Sequence, residues 1–257
     1  MLPRLSSLLR RPSHEPQAQA SAATDGTALE RTTTDSERQI LERCQPYTMT
    51  SRPRMLALID AVRYVVRRQI PGAFVECGVW RGGSVLAMIL TLQELGVQDR
   101  DIYLFDTFEG MTAPTEYDTS PFDPPALQSW KQAQQTGSQA WSELFAPEVF
   151  SREFVQRTLT ETGYPGTRLH FKEGDVLQTI PAGAPAEVAL LRLDTDWYES
   201  TRHELEHLYS RLGTGGVLII DDYGHWEGAR RAVDEYFGDR APLLHRVDYT
   251  GRAAVKD

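Results

Sequence analysis

Apolar positions recur at helical spacing between Arg52 and Arg68, where Met55, Leu58, Ile59, Val62 and Val65 share one face. That spacing predicts a helix. The run "GAFVECGV" after it reads as a buried strand, "WRGG" as a glycine turn, and "SVLAMILTLQEL" as a helix with Ser84 as its cap. "DIYLFD" is a second apolar run ended by an acid. Further on, "SREFVQRTLTETG" is helical, "LHFKEGD" a short strand and "VALLRLD" a buried strand. An amphipathic helix, "STRHELEHLYSRL", precedes the strand "GGVLIIDDY" and the helix "EGARRAVDEYF", and the tail "LLHRVDYTGRAAVKD" has strand character. Strands alternating with helices predict an α/β fold: a mainly parallel sheet with helices on both faces. Ligands of such sheets gather at the C-terminal ends of the strands.

Two segments break the pattern. Between about 107 and 150 it dissolves into Pro, Asp, Thr and scattered aromatics, with helices expected only around Trp130 and Trp141. A long irregular stretch inside a compact domain predicts a lid or binding loop. Residues 1–34 are polar, Ala- and Pro-containing, and are expected to be a disordered extension, although Arg, Ser and Leu before Glu15 weakly resemble a transit peptide. Residues 35–257 then form one domain, the size a single α/β core requires.

Charge and cysteine content narrow the partners. A formal net charge of -9 argues against nucleic acid, which would need a strongly localised basic patch. No run is long and apolar enough to cross a bilayer, so no membrane partner is expected. Cys44 and Cys77 provide neither a disulfide framework nor metal-ligand spacing, and fit a reducing cytoplasmic compartment.

The candidate chemistry lies where apolar runs stop. Glu76, Asp106, Asp175, Asp194, Asp196 and the pair Asp221–Asp222 all fall at predicted strand ends. The turn carrying Gly78, Gly82 and Gly83 lets backbone approach a ligand closely ahead of a helix N-terminus. It is not GxGxxG, which argues against a dinucleotide and leaves a mononucleoside-type cofactor. Asp106, about two dozen residues later, is placed to accept ribose hydroxyls, and Asp175 to lie beside an adenine amino group. Either can equally be a helix cap or a solvated strand end. Asp194 and Asp196 can converge with Asp221 and Asp222 into an all-oxygen pocket suited to Mg²⁺, or serve as caps and loop residues. His225 reads as a neighbour of that pocket rather than a ligand. A cation beside a ribose-bearing cofactor would make a substrate hydroxyl nucleophilic, with a carboxylate or His removing its proton.

These residues together resemble the macrocin O-methyltransferase family. The likeness runs from "YTMTSRPRM" through "FVECGVWRGGS", "YLFDTFEGM", "LRLDTDWYEST" and "LIIDDYGHWEGARRAVDEYF" to "DYTG", in order, from Pro46 to Gly251. It implies a class I methyltransferase (Rossmann-like) fold with an N-terminal helical cap, S-adenosylmethionine and a divalent cation as cofactors, and a homo-oligomer. The acceptor implied is a hydroxyl on a sugar of a glycosylated, macrolide-like small molecule. By the same resemblance Tyr47, Thr48, Met49 and Ser51 lie against the methionine end of the cofactor. Glu76, Gly78, Arg81 and Ser84 are in contact range of its carboxylate and ribose, Asp106 takes the ribose hydroxyls and Asp175 the adenine. Asp194, Asp221 and Asp222 are the implied metal ligands, with Asp194 or Asp196 as proton acceptor and His225 third.

Two departures bear on those roles. Thr195 stands where the family more often has Gly, which leaves the backbone around Asp196 open, and the lid sequence after "FEGM" has no match, which leaves the acceptor open. Glu109, Glu116 and Tyr117 are candidate acceptor contacts. Three other readings compete. "DTD" resembles the DxD element of metal-dependent glycosyltransferases, a catechol-type acceptor lacks the expected Lys after Asp194, and a non-catalytic cofactor-binding subunit would retain the same residues.

Overall fold

The computed structural model describes residues 32–257 apart from 147 and 149. The chain divides into a first unit, Met1–Arg38, and a second, Gln39–Asp257. Of the first, the description covers only residues 32–38, where helix α1 (Asp35–Cys44) begins. The extension expected over residues 1–34 therefore lies almost wholly outside the described residues.

Helix α2 (Arg52–Arg67) starts where Ser51 accepts the Arg54 N–H, and it buries Met55, Leu58, Ile59, Ala61, Val62 and Val65, the face read from the spacing. Strand β1 (Ala73–Cys77) is buried throughout, and α3 (Gly83–Glu94) follows it. The cap of α3 is Gly82 at φ +86°, not Ser84, which lies inside the first turn. The turn requires a left-handed residue, which glycine supplies without a Cβ penalty. Gly83 is equally constrained, because a Cβ there would sit 2.5 Å from the Tyr47 carbonyl oxygen.

After β2 (Ile102–Asp106) comes the irregular segment, which holds α4 (Ala126–Thr136) as expected around Trp130. The second expected helix does not form. Trp141 adopts φ +55° in a run of turns, and its ring packs on Trp130 and Trp197 instead. The chain continues through α5 (Arg152–Thr160), β3 (Leu169–Glu173), α6 (Val176–Thr179) and β4 (Val188–Leu193). Then come α7 (Tyr198–Leu208), β5 (Leu212–Ile220) and α8 (Glu227–Phe237). The strand character of the tail resolves as β6 (His245–Arg246) and β7 (Arg252–Val255).

The seven strands lie in the order β3-β2-β1-β4-β5-β7-β6, with β1 to β5 parallel and β7 antiparallel to β5 and β6. The predicted sheet is the observed one. Strand alternation splits the core between its faces: Phe74, Leu104, Leu190 and Ile219 pack with α2 and α3, whereas Val75, Cys77, Phe105, Leu191 and Leu218 pack with α7 and α8. From β1 the chain builds outward to β3 and then crosses back to β4 on the other side of β1. That reversal opens a crevice beyond the carboxyl ends of β1 and β4. No helix among the described residues is long and apolar enough to cross a membrane.

Candidate active site

A cavity of about 500 Å³ occupies that crevice. Tyr47, Thr48, Met49, Gly78, Ser84, Asp106 and Asp175 line it. So do Asp194, Asp196, Asp221, Asp222 and His225, together with Trp141, Trp197 and Trp226. Six of the expected site residues lie elsewhere. Ser51 caps α2 and donates its hydroxyl to Asp248 Oδ2 at 2.6 Å, and Glu76 is buried beneath the floor. The Arg81 guanidinium stacks 4.4 Å from the Trp80 ring. Glu109 is exposed, Glu116 lines a separate depression with Thr115 and Gln128, and Tyr117 packs edge-on to Tyr198 under the Arg231 guanidinium.

The glycine turn is held by Asp106. Its Oδ2 accepts the N–H groups of Val79 at 2.6 Å and Trp80 at 2.9 Å, and its Oδ1 accepts the Phe108 N–H at 2.8 Å. Burial pushes its pKa up against these donors. Oδ2 is committed to the turn, which leaves further accepting capacity on Oδ1. Gly78, at φ +82°, makes the turn possible, because a Cβ there would lie 1.9 Å from the Asp194 carbonyl oxygen. Strands β1 and β4 therefore end in direct backbone contact. Asp175 both faces the cavity and caps α6, accepting the Leu177 N–H at 2.9 Å.

The acidic wall is organised by an arginine that the sequence reading did not single out. Arg192 is 1% exposed within β4, in Cα register with Glu76 of β1. Its Nη1 donates to Glu76 Oε1 at 2.5 Å and Asp194 Oδ2 at 2.6 Å, and its Nη2 to Asp221 Oδ1 at 2.7 Å and Thr50 Oγ1 at 3.0 Å. Arg54 pairs with the other Asp221 oxygen and reaches Asp248 Oδ2 at 3.1 Å. One signal was available: an arginine inside "VALLRLD" cannot be buried without acidic partners.

One oxygen from each of Asp194, Asp221 and Asp222 lies within 4.8 Å of the others. Enclosure pushes the pKa values of Asp194 and Asp222 well up, and the neighbouring acids add to it. Asp196 is raised to about 7, first by burial and then by Asp221, against the indole of Trp226, whose Nε1 donates to its Oδ1 at 2.8 Å. Asp196 sits at φ +65°, and its N–H donates to Asp222 Oδ2 at 3.2 Å. His225 is not among the clustered acids. Its Nε2 meets Asp123 Oδ2 at 2.6 Å and its Nδ1 the hydroxyl of Tyr249, in the turn before β7, at 2.9 Å, so both ring nitrogens are engaged. The tryptophan flank is a packed series, with Trp197 4.9 Å from Trp226 and 5.9 Å from Trp141 between ring centres.

This sheet order, with the cavity at its switch point, is that of the class I O-methyltransferases. Residues 7–253 match the family described as macrocin-O-methyltransferase (TylF), and the chain belongs to that family. It is similar to demethyldecarbamoylnovobiocin O-methyltransferase of Streptomyces niveus, 31% identical over 207 residues covering 80% of this chain and 74% of that protein. It is also similar to the 8-demethyl-8-(2,3-dimethoxy-alpha-L-rhamnosyl)-tetracenomycin-C 4'-O-methyltransferase of Streptomyces olivaceus, 32% identical over 223 residues, 84% and 79% of the two chains. Among solved structures, the O-methyltransferase NovP aligns with TM-score 0.67 and 30% identity over 82% of each chain. The protein is an O-methyltransferase. Membership also sets aside the glycosyltransferase reading of "DTD".

Proposed function

We propose that the chain transfers a methyl group from S-adenosylmethionine to a sugar hydroxyl of a glycosylated small molecule, with Mg²⁺ held by Asp194, Asp221 and Asp222. The observation that carries this reading is the convergence of three carboxylate oxygens beside Asp196 on one wall of a single cavity. The donor set fits a hard divalent ion, being all oxygen and more acidic than its two guanidiniums can neutralise. When bound, the cofactor would supply an electrophilic methyl on a sulfonium, and the cation would lower the pKa of a nearby hydroxyl.

The chain's own residues supply position and proton transfer. Tyr47, Thr48, Met49 and Ser84 offer the wall for the methionine end, Asp106 for the ribose and Asp175 for the adenine. Asp196 Oδ2, the oxygen not engaged by Trp226, takes the hydroxyl proton. A carboxyl at about 7 changes protonation near neutral pH, which suits a general base. Asp194 is less suited, since its Oδ2 is taken by Arg192 and the proposed cation would claim its remaining oxygen. Trp141, Trp197 and Trp226 exclude water and provide an apolar flank for a sugar ring. The rhamnosyl group that the tetracenomycin methyltransferase is named for supports a sugar acceptor. The reading includes a cytoplasmic homo-oligomer, resting on cysteine usage and the family resemblance.

Calorimetric titration with S-adenosylmethionine and S-adenosylhomocysteine, in Mg²⁺ and after chelation, tests the cofactor and cation together. Methyl transfer to a panel of glycosylated aromatic and macrolide acceptors tests the substrate class. Cofactor binding with transfer to an aglycone hydroxyl alone would overturn the sugar assignment.

A further inference from the structure

The strand-end segment Asp194–Asp196 carries both a proposed cation ligand and the proposed base, and its middle residue, which also lines the cavity, engages a buried acid with its hydroxyl. The Thr195 hydroxyl donates to Glu204 Oε1 at 2.9 Å. Glu204 lies in α7 and is wholly buried, between the core positions Leu205 and Leu208 and the loop above. Its other oxygen, Oε2, is buried without a protein hydrogen-bond partner. A carboxyl in such a place is expensive, and an apolar side chain would fill it at lower cost. It is hydrogen-bonded to Thr195 of the acidic loop and lies against the Cys77 thiol at the end of β1.

The loop needs such an anchor. Asp196 holds a left-handed backbone at φ +65°, a conformation that persists only when the surroundings over-determine it. Helix α7 grips Thr195 twice, with the Ser200 hydroxyl on its carbonyl at 3.3 Å and Glu204 on its side chain. The Trp197 N–H also donates to the Thr195 carbonyl at 2.7 Å, closing the turn. On the far side Asp194 is pressed against Gly78 and its N–H bonds the Cys77 carbonyl at 2.9 Å. Thr195 is thus the point where the buried face of α7 meets the segment that carries both acids.

We propose that Glu204 is a positioning residue: through its hydrogen bond to Thr195 it fixes the Asp194–Asp196 segment so that Asp194 can share a divalent cation with Asp221 and Asp222. This rests on the cation reading above. Its readout is Mg²⁺ affinity, measured by calorimetry on the full chain with Mg²⁺ alone, together with the melting temperature of each variant.

Thr195→Val and Glu204→Leu remove the bond, whereas Thr195→Ser and Glu204→Gln keep a donor and an acceptor. The first two are expected to weaken Mg²⁺ binding about five- to tenfold, the scale of one buried hydrogen bond. The conservative pair should stay within about twofold of wild type, and the double variant Thr195→Val/Glu204→Leu should be no weaker than the weaker single. Should Glu204→Leu fail to fold, the comparison of Thr195→Val with Thr195→Ser decides. Wild-type affinity in Thr195→Val, even with a lowered melting temperature, would overturn the positioning role alone. Absence of Mg²⁺ binding by the wild type would overturn the cation reading and this inference together.

Discussion

Arg192 Nη2 donates to Asp221 Oδ1 at 2.7 Å across the β4–β5 ladder, so a cation buried in the sheet steadies the acid that β5 delivers. The same guanidinium holds Glu76 and Asp194 and leaves almost none of itself exposed. Burial alone would lower its pKa, and the three carboxylates more than reverse that. Lysine offers a point charge in place of a planar fork and cannot serve Glu76, Asp194, Asp221 and Thr50 together. Replacing Arg192 by Met strands Glu76 and Asp221 without their shared counter-charge. Urea unfolding should show a loss of about 3–5 kcal/mol, the scale for removing one partner of a buried pair. A loss below about 1 kcal/mol would show that the pairing is not needed for stability.

Asp222 has a different burden. Its carboxylate is buried and receives the Asp196 N–H; burial and the neighbouring Asp196, Asp194 and Asp221 push its pKa up, against the opposing charge of Arg54. Asp222→Asn relieves that repulsion while removing an oxygen anion from the proposed cation site. Stability should therefore hold or rise, whereas Mg²⁺ affinity and methyl transfer should each fall by at least about tenfold, since even groups supporting a metal's ligands cost that much. Retention of both at wild-type level would remove Asp222 from the site.

Much of this arrangement was legible along the chain because apolar runs and the acids that end them are local features. The strands β1 to β5, and Asp106, Asp175, Asp194, Asp221 and Asp222 at or just beyond the ends of β2 to β5, follow from them directly. What was not legible depends on partners distant in sequence. Glu76 ends the same strand as the glycine turn, yet it faces Arg192 across 116 positions instead of the cavity. The parity of β1 decides this, since Glu76 shares the face of Phe74. The lid was harder still: Trp141 reads as helical from its neighbours, but its contacts with Trp130 and Trp197 dictate a turn. Glu116 and Tyr117 fall outside the cavity because Asp118, not its neighbours, is buried and anchors the loop, and Glu109 is exposed.

Asp248 ties the segment before α2 to the turn before β7. It accepts the Ser51 hydroxyl at 2.6 Å, the Gly251 N–H at 2.7 Å, the Thr250 N–H at 3.0 Å and Arg54 Nε at 3.1 Å. Burial would raise its pKa, but these donors outweigh it and hold the carboxyl below its ordinary value. A depressed folded pKa gives stability that is present above the unfolded value, about 3.9, and is lost as pH falls through the folded one. Asp248→Asn should cost about 2 kcal/mol at pH 7. The gap between the variant and wild type should close as pH is lowered below about 3.9, as read by chemical unfolding across that range. A gap unchanged with pH would mean that the charge of Asp248 contributes nothing.

The irregular segment of residues 107–150, read from the sequence as a lid, is anchored by a close fit between Asp118 and Gly228. Asp118 is 1% exposed; its Oδ1 accepts the Tyr198 N–H at 2.7 Å and its Oδ2 the Thr115 N–H at 2.6 Å. Its room is made by a glycine in the first turn of α8, where an added Cβ would lie 1.9 Å from Asp118 Oδ1. In an open helix, Gly to Ala stabilises by about 0.5–1 kcal/mol. Here the sign should reverse, because the methyl group expels the carboxylate that joins lid to α7. Gly228→Ala should lower the melting temperature and expose residues between 107 and 150 to limited proteolysis, with the sheet core resisting as before. The Glu227 N–H also bonds the Thr119 carbonyl at 2.9 Å, so the displacement should reach the same helix turn from both sides. If Gly228→Ala were more stable and equally resistant in that segment, the Asp118 contact would not be what holds the lid.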